Sequence, residues 1–490
     1  MNKYSTPLSV TRRFVYKMKH KKSSVKIALI YCIIFFMETF FVFQNGFCMT
    51  AKEEEDLSDE FMKAISQHYE IVDDPIITKY INDLGSKILA TVPPQPFTYH
   101  FYIVKDENYN AFAGPAGHIF VHSGLFEAMD NEEELAGILA HEISHVTCRH
   151  LSDQFEKSKK IGIATLAGMA AGILLGVGGA GEATNALVMG SAAMGQSLSL
   201  AYSREDEMQA DQIGLNYLRK AGYTGAGMLT MLKKIRDKSW YDPNDIPVYL
   251  STHPAVGDRI SYLSNRVEES TKAPDKKPSL NKDYFEKAHI RLLAMYGNKE
   301  NVLKMFKEDV TDKPKDYMSQ YKYALVLSES GDRSDAIAYF KKALEENPFD
   351  PDILRDLGKV YFQDGQYPEA QKTLEGAVSL APDDPETLLF LGRIKAETGK
   401  FNDARKLFLT ITEKYPYYKR ALYLLGETCG KMNNMADAHY YLGLFYKDKE
   451  DLKNARFHLE KALEKTNDTG RKAELEEMLK KIKKDSKKEF

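Results

Sequence analysis

The sequence predicts a mainly α chain in two parts, an α+β domain and then an α-solenoid of short repeats. Three observations carry that prediction. A run with helical periodicity holds two histidines four apart, His141-Glu142-Ile143-Ser144-His145. An acidic cluster, Ser203-Arg204-Glu205-Asp206-Glu207-Met208-Gln209-Ala210-Asp211, places Glu207 62 residues beyond His145. The C-terminal half then repeats itself every 34 residues.

Residues 1 to 26 carry eight Lys or Arg and no acid, and Ile27 to Phe43 is almost continuously apolar, broken by Glu38. A basic stretch before an apolar one is an export signal, so residues 1–51 are assigned to a signal or an uncleaved inner-membrane anchor. Met18 is an alternative start, because Lys19, Lys21 and Lys22 then directly precede the apolar run. Cleavage is expected after Cys48 or Ala51, and bulky Phe47 argues against a lipoprotein site.

The next segment, 52–266, carries the chemistry. Asn131 can cap a helix whose first turn holds Glu132, Glu133 and Glu134, where acids favour the positive end of the helix dipole. Leu135, Ile138, Leu139 and Val146 follow at helical spacing, which predicts an amphipathic helix with the histidines on or beside its buried stripe. At 3.6 residues per turn His141 and His145 share a face, so one zinc ion can bind both. Glu142, beside the first histidine, stands where a general base would deprotonate water acidified by the metal. A catalytic zinc takes three protein ligands as a rule, and Glu207 is the expected third. Asp211, one turn later, is placed to accept the free ring N–H of a ligand histidine.

Two further segments of this part matter. Asn110 to Val121 contains a Gly-Pro-Ala-Gly break and then the strand-forming Ile119-Phe120-Val121. Gly117, His118, Ile119, Phe120 and Val121 are therefore read as an exposed edge beside the metal, where an extended peptide substrate would add as a strand. Residues 161–200 form a Gly/Ala-rich apolar insertion. Eleven of the twenty residues from Ile161 to Ala180 are Gly or Ala, which favours close helix packing over the cleft or peripheral contact with a membrane surface over true spanning.

On these residues the chain resembles the gluzincin-type zinc metallopeptidases related to HtpX and the CAAX prenyl protease, whose signature joins His-Glu-x-x-His to Ser-Arg-x-x-Glu-x-x-x-Asp. The resemblance covers about residues 52 to 265. It implies a zincin-like α+β metallopeptidase domain with one zinc per chain held by His141, His145 and Glu207, Glu142 as general base, and Asp211 behind a ligand. The segment around Asn110 to Val121 resembles the strand that edges the family's cleft, and Ser251-Thr252-His253-Pro254 with Asp258-Arg259-Ile260 resembles its closing loop. His253 precedes a proline, which restricts it to extended backbone and suits it to aim a side chain. Two functional roles are open to it, donation to the reacting carbonyl oxygen or occupation of the fourth zinc position, beside a purely structural capping role.

Beyond Arg266 the composition turns polar and proline-bearing, which makes 267–281 a linker. Over 282–466, Ala336, Phe340, Ala343 and Pro348 recur as Ala370, Leu374, Ala377 and Pro382, and again as Ala404, Phe408, Ile411 and Pro416. Gly358, Gly392 and Gly426 keep the same period. This is the tetratricopeptide pattern, with small residues where paired helices approach. Phe306 and Pro314 extend it towards Lys282, while Gly443, Ala455, Leu459 and Ala462 fit only after a 17-residue shift, so one helix is expected to serve two units. Residues 467–490 are a charged capping helix or tail.

The whole chain has 67 basic and 70 acidic residues. Without residues 1–51, which hold eight bases and one acid, the formal charge is −10, and nucleic acid is excluded as a partner. Cys148 is read as a buried small hydrophobe, and the sequence gives no reason to expect a disulfide between it and Cys429. A signal, a zinc peptidase core and a repeat array together resemble the periplasmic, repeat-bearing branch of the family. That resemblance implies a periplasmic endopeptidase acting on misfolded or stalled outer-membrane proteins, its repeats docking on outer-membrane assembly machinery. Two other readings are a repeat-based chaperone or scaffold with latent protease activity, and a membrane-inserted protease, which two apolar stretches hardly suffice to build.

Overall fold

The computed structural model describes residues 49–156, 202–241, 247–271, 282–415 and 418–485. Residues 1–48 of the export segment, the Gly/Ala-rich insertion, Pro416 and most of the expected linker lie outside the described residues. No described helix is long and apolar enough to cross a membrane.

The catalytic part begins with α1 (Ala51–His68) and α2 (Pro75–Leu89), followed by strands β1 (His100–Val104), β2 (Ala111–Ala113) and β3 (His118–His122). Then come α3 (Ser123–Glu127), α4 (Glu132–Thr147), α5 (His150–Glu156), α6 (Arg204–Lys220), α7 (Ala226–Tyr241), α8 (Val248–Thr252) and α9 (Val256–Thr271). The sheet order is β1-β3-β2, with β3 parallel to β1 and antiparallel to β2.

This order corrects the expectation for Gly117, His118, Ile119, Phe120 and Val121. They do not form an edge. Gly117 ends the turn Pro115–Gly117 with φ +83°, which a glycine adopts without strain. That turn folds β2 back on one side of β3 while β1 pairs on the other. Ile119, Phe120 and Val121 are consequently buried on both faces of the sheet, and an unbroken apolar run is what such a strand carries. Phe120 stacks between Phe112 and Tyr102, each 4.9 Å away, beneath Phe61 of α1. Ile119 and Val121 face the larger core, which includes Leu135, Leu139 and Ile143 of α4. Among the described residues the outer strands of the sheet are β1, partly covered by a bridge from Ile71 to Val104, and β2, whose three residues are buried.

Helix α4 is capped as its sequence foretells, Asn131 Oδ1 accepting from Glu133 N at 3.0 Å and Glu134 N at 3.3 Å. It is buried on every side instead of amphipathic, because α6, α7 and the sheet enclose it. The three first-turn glutamates therefore bond inward. Tyr223 donates to Glu132 at 2.7 Å, Glu133 accepts from the backbone N–H of Thr224 and Gly225 at 2.8 Å each, and Lys234 pairs with Glu134 at 2.8 Å. Gly137 lets α7 approach, since a Cβ there would lie 2.5 Å from Met228 N.

The repeat part runs through α10 (Lys282–Tyr296), α11 (Lys299–Asp312), α12 (Tyr317–Ser330), α13 (Arg333–Glu346), α14 (Pro351–Gln363) and α15 (Tyr367–Leu380). It continues with α16 (Pro385–Glu397), α17 (Phe401–Lys414), α18 (Arg420–Lys431), α19 (Met435–Asp448), α20 (Leu452–Lys465) and α21 (Thr469–Asp485). The periodic glycines seat the next helix's large residue, Gly358 under Leu374, Gly392 under Phe408 and Gly426 under Leu442. Helix α19 serves two units, offering Leu442 to Gly426 and Gly443 to Leu459.

The two parts share a buried joint. Phe285, Ala288 and Leu292 of α10 belong to the catalytic core, while Ile290, Leu293 and Ala294 of the same helix belong to the repeat core. Arg291, fully buried, reaches Asp74 at 2.6 Å on one side and Asp356 at 2.7 Å on the other. Asp74 also caps α2 through the N–H groups of Ile76 and Ile77. Its carboxyl is buried, which opposes ionisation, yet Arg291 and these bonds hold it below the usual aspartate range. The two parts are thus fastened by a shared helix and a buried ion network, which their separate sequence patterns do not announce.

Candidate active site

Helix geometry turns His141 and His145 towards each other, Nε2 to Nε2 at 3.0 Å. Glu207 arrives from α6, which Ser203 and Asp206 start with a reciprocal capping box. Its two carboxylate oxygens lie 3.5 Å from His141 Nε2 and 3.4 Å from His145 Nε2. His253, at the C-terminal end of α8, completes a group of four whose ligand atoms all lie within 4.8 Å of one another. Its Nε2 is 3.4 Å from Glu142 Oε1.

Behind these atoms, Asp211 Oδ1 stands 2.9 Å from His141 Nδ1, where it can accept the ring N–H. Arg259 donates to Asp211 from Nε and Nη2 at 2.8 Å each and also contacts Glu207. All of these residues are buried. Two tyrosines cover the group. Tyr202 stacks on His145 at 3.8 Å and Tyr249 on His253 at 4.2 Å. Tyr202 N donates to Thr252 O at 3.0 Å, so the segment before α6 and the His253 loop form one cover.

The electrostatics follow from this crowding. Burial alone would raise Glu207, but the histidines and Arg259 hold it well below the usual carboxylate range. Burial, with the Glu207 charge nearby, pushes Glu142 up to about 7 against the pull of His141, Arg259 and the Ala113 amide. Burial and Arg259 oppose charge on His141, yet its bonds to Asp211 and Glu207 raise it to about 9. Burial lowers His145 to about 4 and holds His253 well below the usual histidine range. Among the described residues the carboxylate oxygens of Glu142 and Glu207 and Nε2 of His253 lack a well-aligned hydrogen bond, and Glu207 is held by ion-pair contacts with Arg259 and the two histidines instead. Buried lone pairs without donors are costly, and a divalent cation would satisfy several at once. The donor set, imidazole with carboxylate, suits zinc.

Residues 77–267 match Peptidase family M48. The chain carries an M48 peptidase domain. Tetratricopeptide repeat families match residues 327–386, 362–416 and 436–464. The Beta-barrel assembly-enhancing protease of Yersinia pestis is 34% identical over 258 residues, 53% of this chain and 52% of the relative. That of Escherichia coli (strain K12) is 31% identical over the same shares. The chain spans about half the length of these two curated relatives. The Metalloprotease LoiP of Escherichia coli (strain K12) is 29% identical over 199 residues, 39% of this chain and 69% of the relative.

Within the M48 domain the structure brings together His141, Glu142, His145, Glu207, Asp211 and His253, and keeps His118 to Val121 in the central strand with Gly117 in the turn before it. Sequence reasoning missed Tyr202, Tyr249 and His150. Tyr202 directly precedes the N-cap serine of α6, and His150 follows the second histidine by five residues, off the i+4 register. Cys148 and Cys429 are free thiols, the first half-buried and the second buried.

Proposed function

We propose that this chain is a zinc-dependent endopeptidase of the bacterial envelope, exported to the periplasm, that cleaves misfolded or stalled outer-membrane proteins recruited by its repeats. The observation that carries the catalytic reading is the convergence of His141, His145 and Glu207 beside a buried Glu142. Those three residues would hold the metal, and zinc there would acidify water and polarise the scissile carbonyl. Glu142 takes up the proton and passes it to the leaving amine, a task for which a carboxyl held near neutrality is suited. Asp211, fixed by Arg259, keeps His141 in the tautomer that leaves Nε2 free.

Substrate is placed beside Glu142 and not along Gly117 to Val121, because β3 is the central strand of the sheet. His253, 3.4 Å from Glu142, and the two tyrosines stacked on His145 and His253 cover the site. This supports His253 as a latency residue that leaves when substrate enters, with donation to the carbonyl oxygen as its alternative. The outer-membrane assignment is supported by the names of the relatives and by repeats of a kind that bind protein segments.

The test uses purified full chain, its zinc content and an unfolded outer-membrane protein. Glu142→Gln is expected to keep one zinc and lose cleavage by at least about a hundredfold. Glu207→Ala is expected to lose zinc, and stoichiometric binding at wild-type affinity by that variant would overturn the ligand assignment.

A further inference from the structure

The two ligand histidines are supported differently. His141 has a carboxylate behind it, as sequence spacing suggests. Behind His145 stands another imidazole. His150 Nδ1 lies 2.9 Å from His145 Nδ1, and on its far side His150 Nε2 lies 3.0 Å from Gln209 Oε1. Asp206 Oδ1 is 3.7 Å from the same nitrogen.

The chain bends sharply to achieve this. Arg149, between α4 and α5, has φ +58°, a left-handed conformation that a non-glycine residue adopts under strain. Its side chain is tied down, Nη2 donating to Glu54 Oε2 at 2.7 Å and to Met49 O at 2.6 Å. Ser152 Oγ also donates to Glu54, at 2.9 Å. The effect of the anchored turn is to fold His150, 4% exposed, back onto the ring of His145.

The donor and acceptor logic has one solution when His145 faces the metal site through Nε2. Its Nδ1 must then carry the proton and donate to His150 Nδ1. His150 must carry its own proton on Nε2 and donate that to the amide oxygen of Gln209. We propose that His150 is the positioning residue that fixes the tautomer and rotation of His145 for metal binding, with Gln209 fixing His150 in turn. The inference rests on the metal-site reading above.

The experiment measures zinc affinity of the full chain by chelator competition, together with the visible spectrum of cobalt-loaded protein. Circular dichroism of each metal-free variant checks folding. His150→Phe fills the space but cannot accept, and should weaken zinc binding about 10–100-fold and shift the cobalt bands. His150→Asn puts an amide oxygen near the position of Nδ1 and should keep wild-type affinity and spectrum. Gln209→Glu should bind zinc as wild type does, whereas Gln209→Lys should weaken it. Unchanged affinity in His150→Phe, or equal loss in His150→Asn and His150→Phe, overturns the proposal. Wild-type chain that binds no zinc would instead overturn the metal-site reading itself.

Discussion

Replacing Arg291 with methionine tests whether the catalytic and repeat parts form one folding unit. The guanidinium donates to Asp74 from Nε at 3.1 Å and Nη2 at 2.6 Å, and to Asp356 from Nη1 at 2.7 Å, with Glu386 3.6 Å away. Methionine keeps much of the apolar stem but leaves Asp74 buried without its cation, while Asp356 keeps Arg355 and Glu386 keeps Arg355 and Lys359. Removing one partner of a buried pair costs about 3–5 kcal/mol, a large share of the ~5–15 kcal/mol that holds a domain folded. Denaturant unfolding should show that loss, with separate transitions for the two parts. Asp74→Asn leaves an acceptor for the α2 cap and should cost less, and the double variant should fall short of the sum because the two residues share one interaction. The pH sign is fixed by Asp74, whose folded pKa is depressed. Its contribution is present above the unfolded value of about 3.9 and is lost as pH falls through the folded value. The joint should therefore weaken only in acid. A loss below about 1 kcal/mol in Arg291→Met, less than a buried pair can account for, would refute the reasoning.

Three other outcomes are expected. His253→Ala should raise cleavage of a short peptide if His253 holds the site latent and lower it if it donates to the carbonyl oxygen, and unchanged rate and zinc affinity would leave only a structural role. Gly392→Ala should cost about 1–3 kcal/mol in the repeats by overpacking, since its Cβ would meet Phe408 at 2.5 Å; a variant with wild-type unfolding would show that the helix pair has room. Glu133→Ala, which leaves the Thr224 and Gly225 N–H groups at the start of α7 without their acceptor, should lower stability by about 1–3 kcal/mol without removing zinc, and loss of zinc would mean that this contact also aligns α4.

The sequence by itself determined what local periodicity can encode. Two histidines at i and i+4 must share a helix face, Asn131 can cap, and Asp211 follows Glu207 by one turn, so these pairings were readable without a fold. The 34-residue period likewise dictated which glycines meet which large residues, because each repeat packs only on its neighbours. Tertiary structure decided what depends on chain segments far apart. Whether Ile119, Phe120 and Val121 form an edge or a centre turns on which strands pair beside them, and an apolar triplet reads the same until the second face is covered. The inward bonding of Glu132, Glu133 and Glu134 required α7 and Lys234 to arrive. Arg291, an ordinary arginine in a helical stretch, became the buried centre of the joint only when Asp74, 217 positions away, met it from the other part. His150 came to stand behind His145 only through a left-handed Arg149, and no side-chain spacing announces a conformation that is held in place by a distant Glu54.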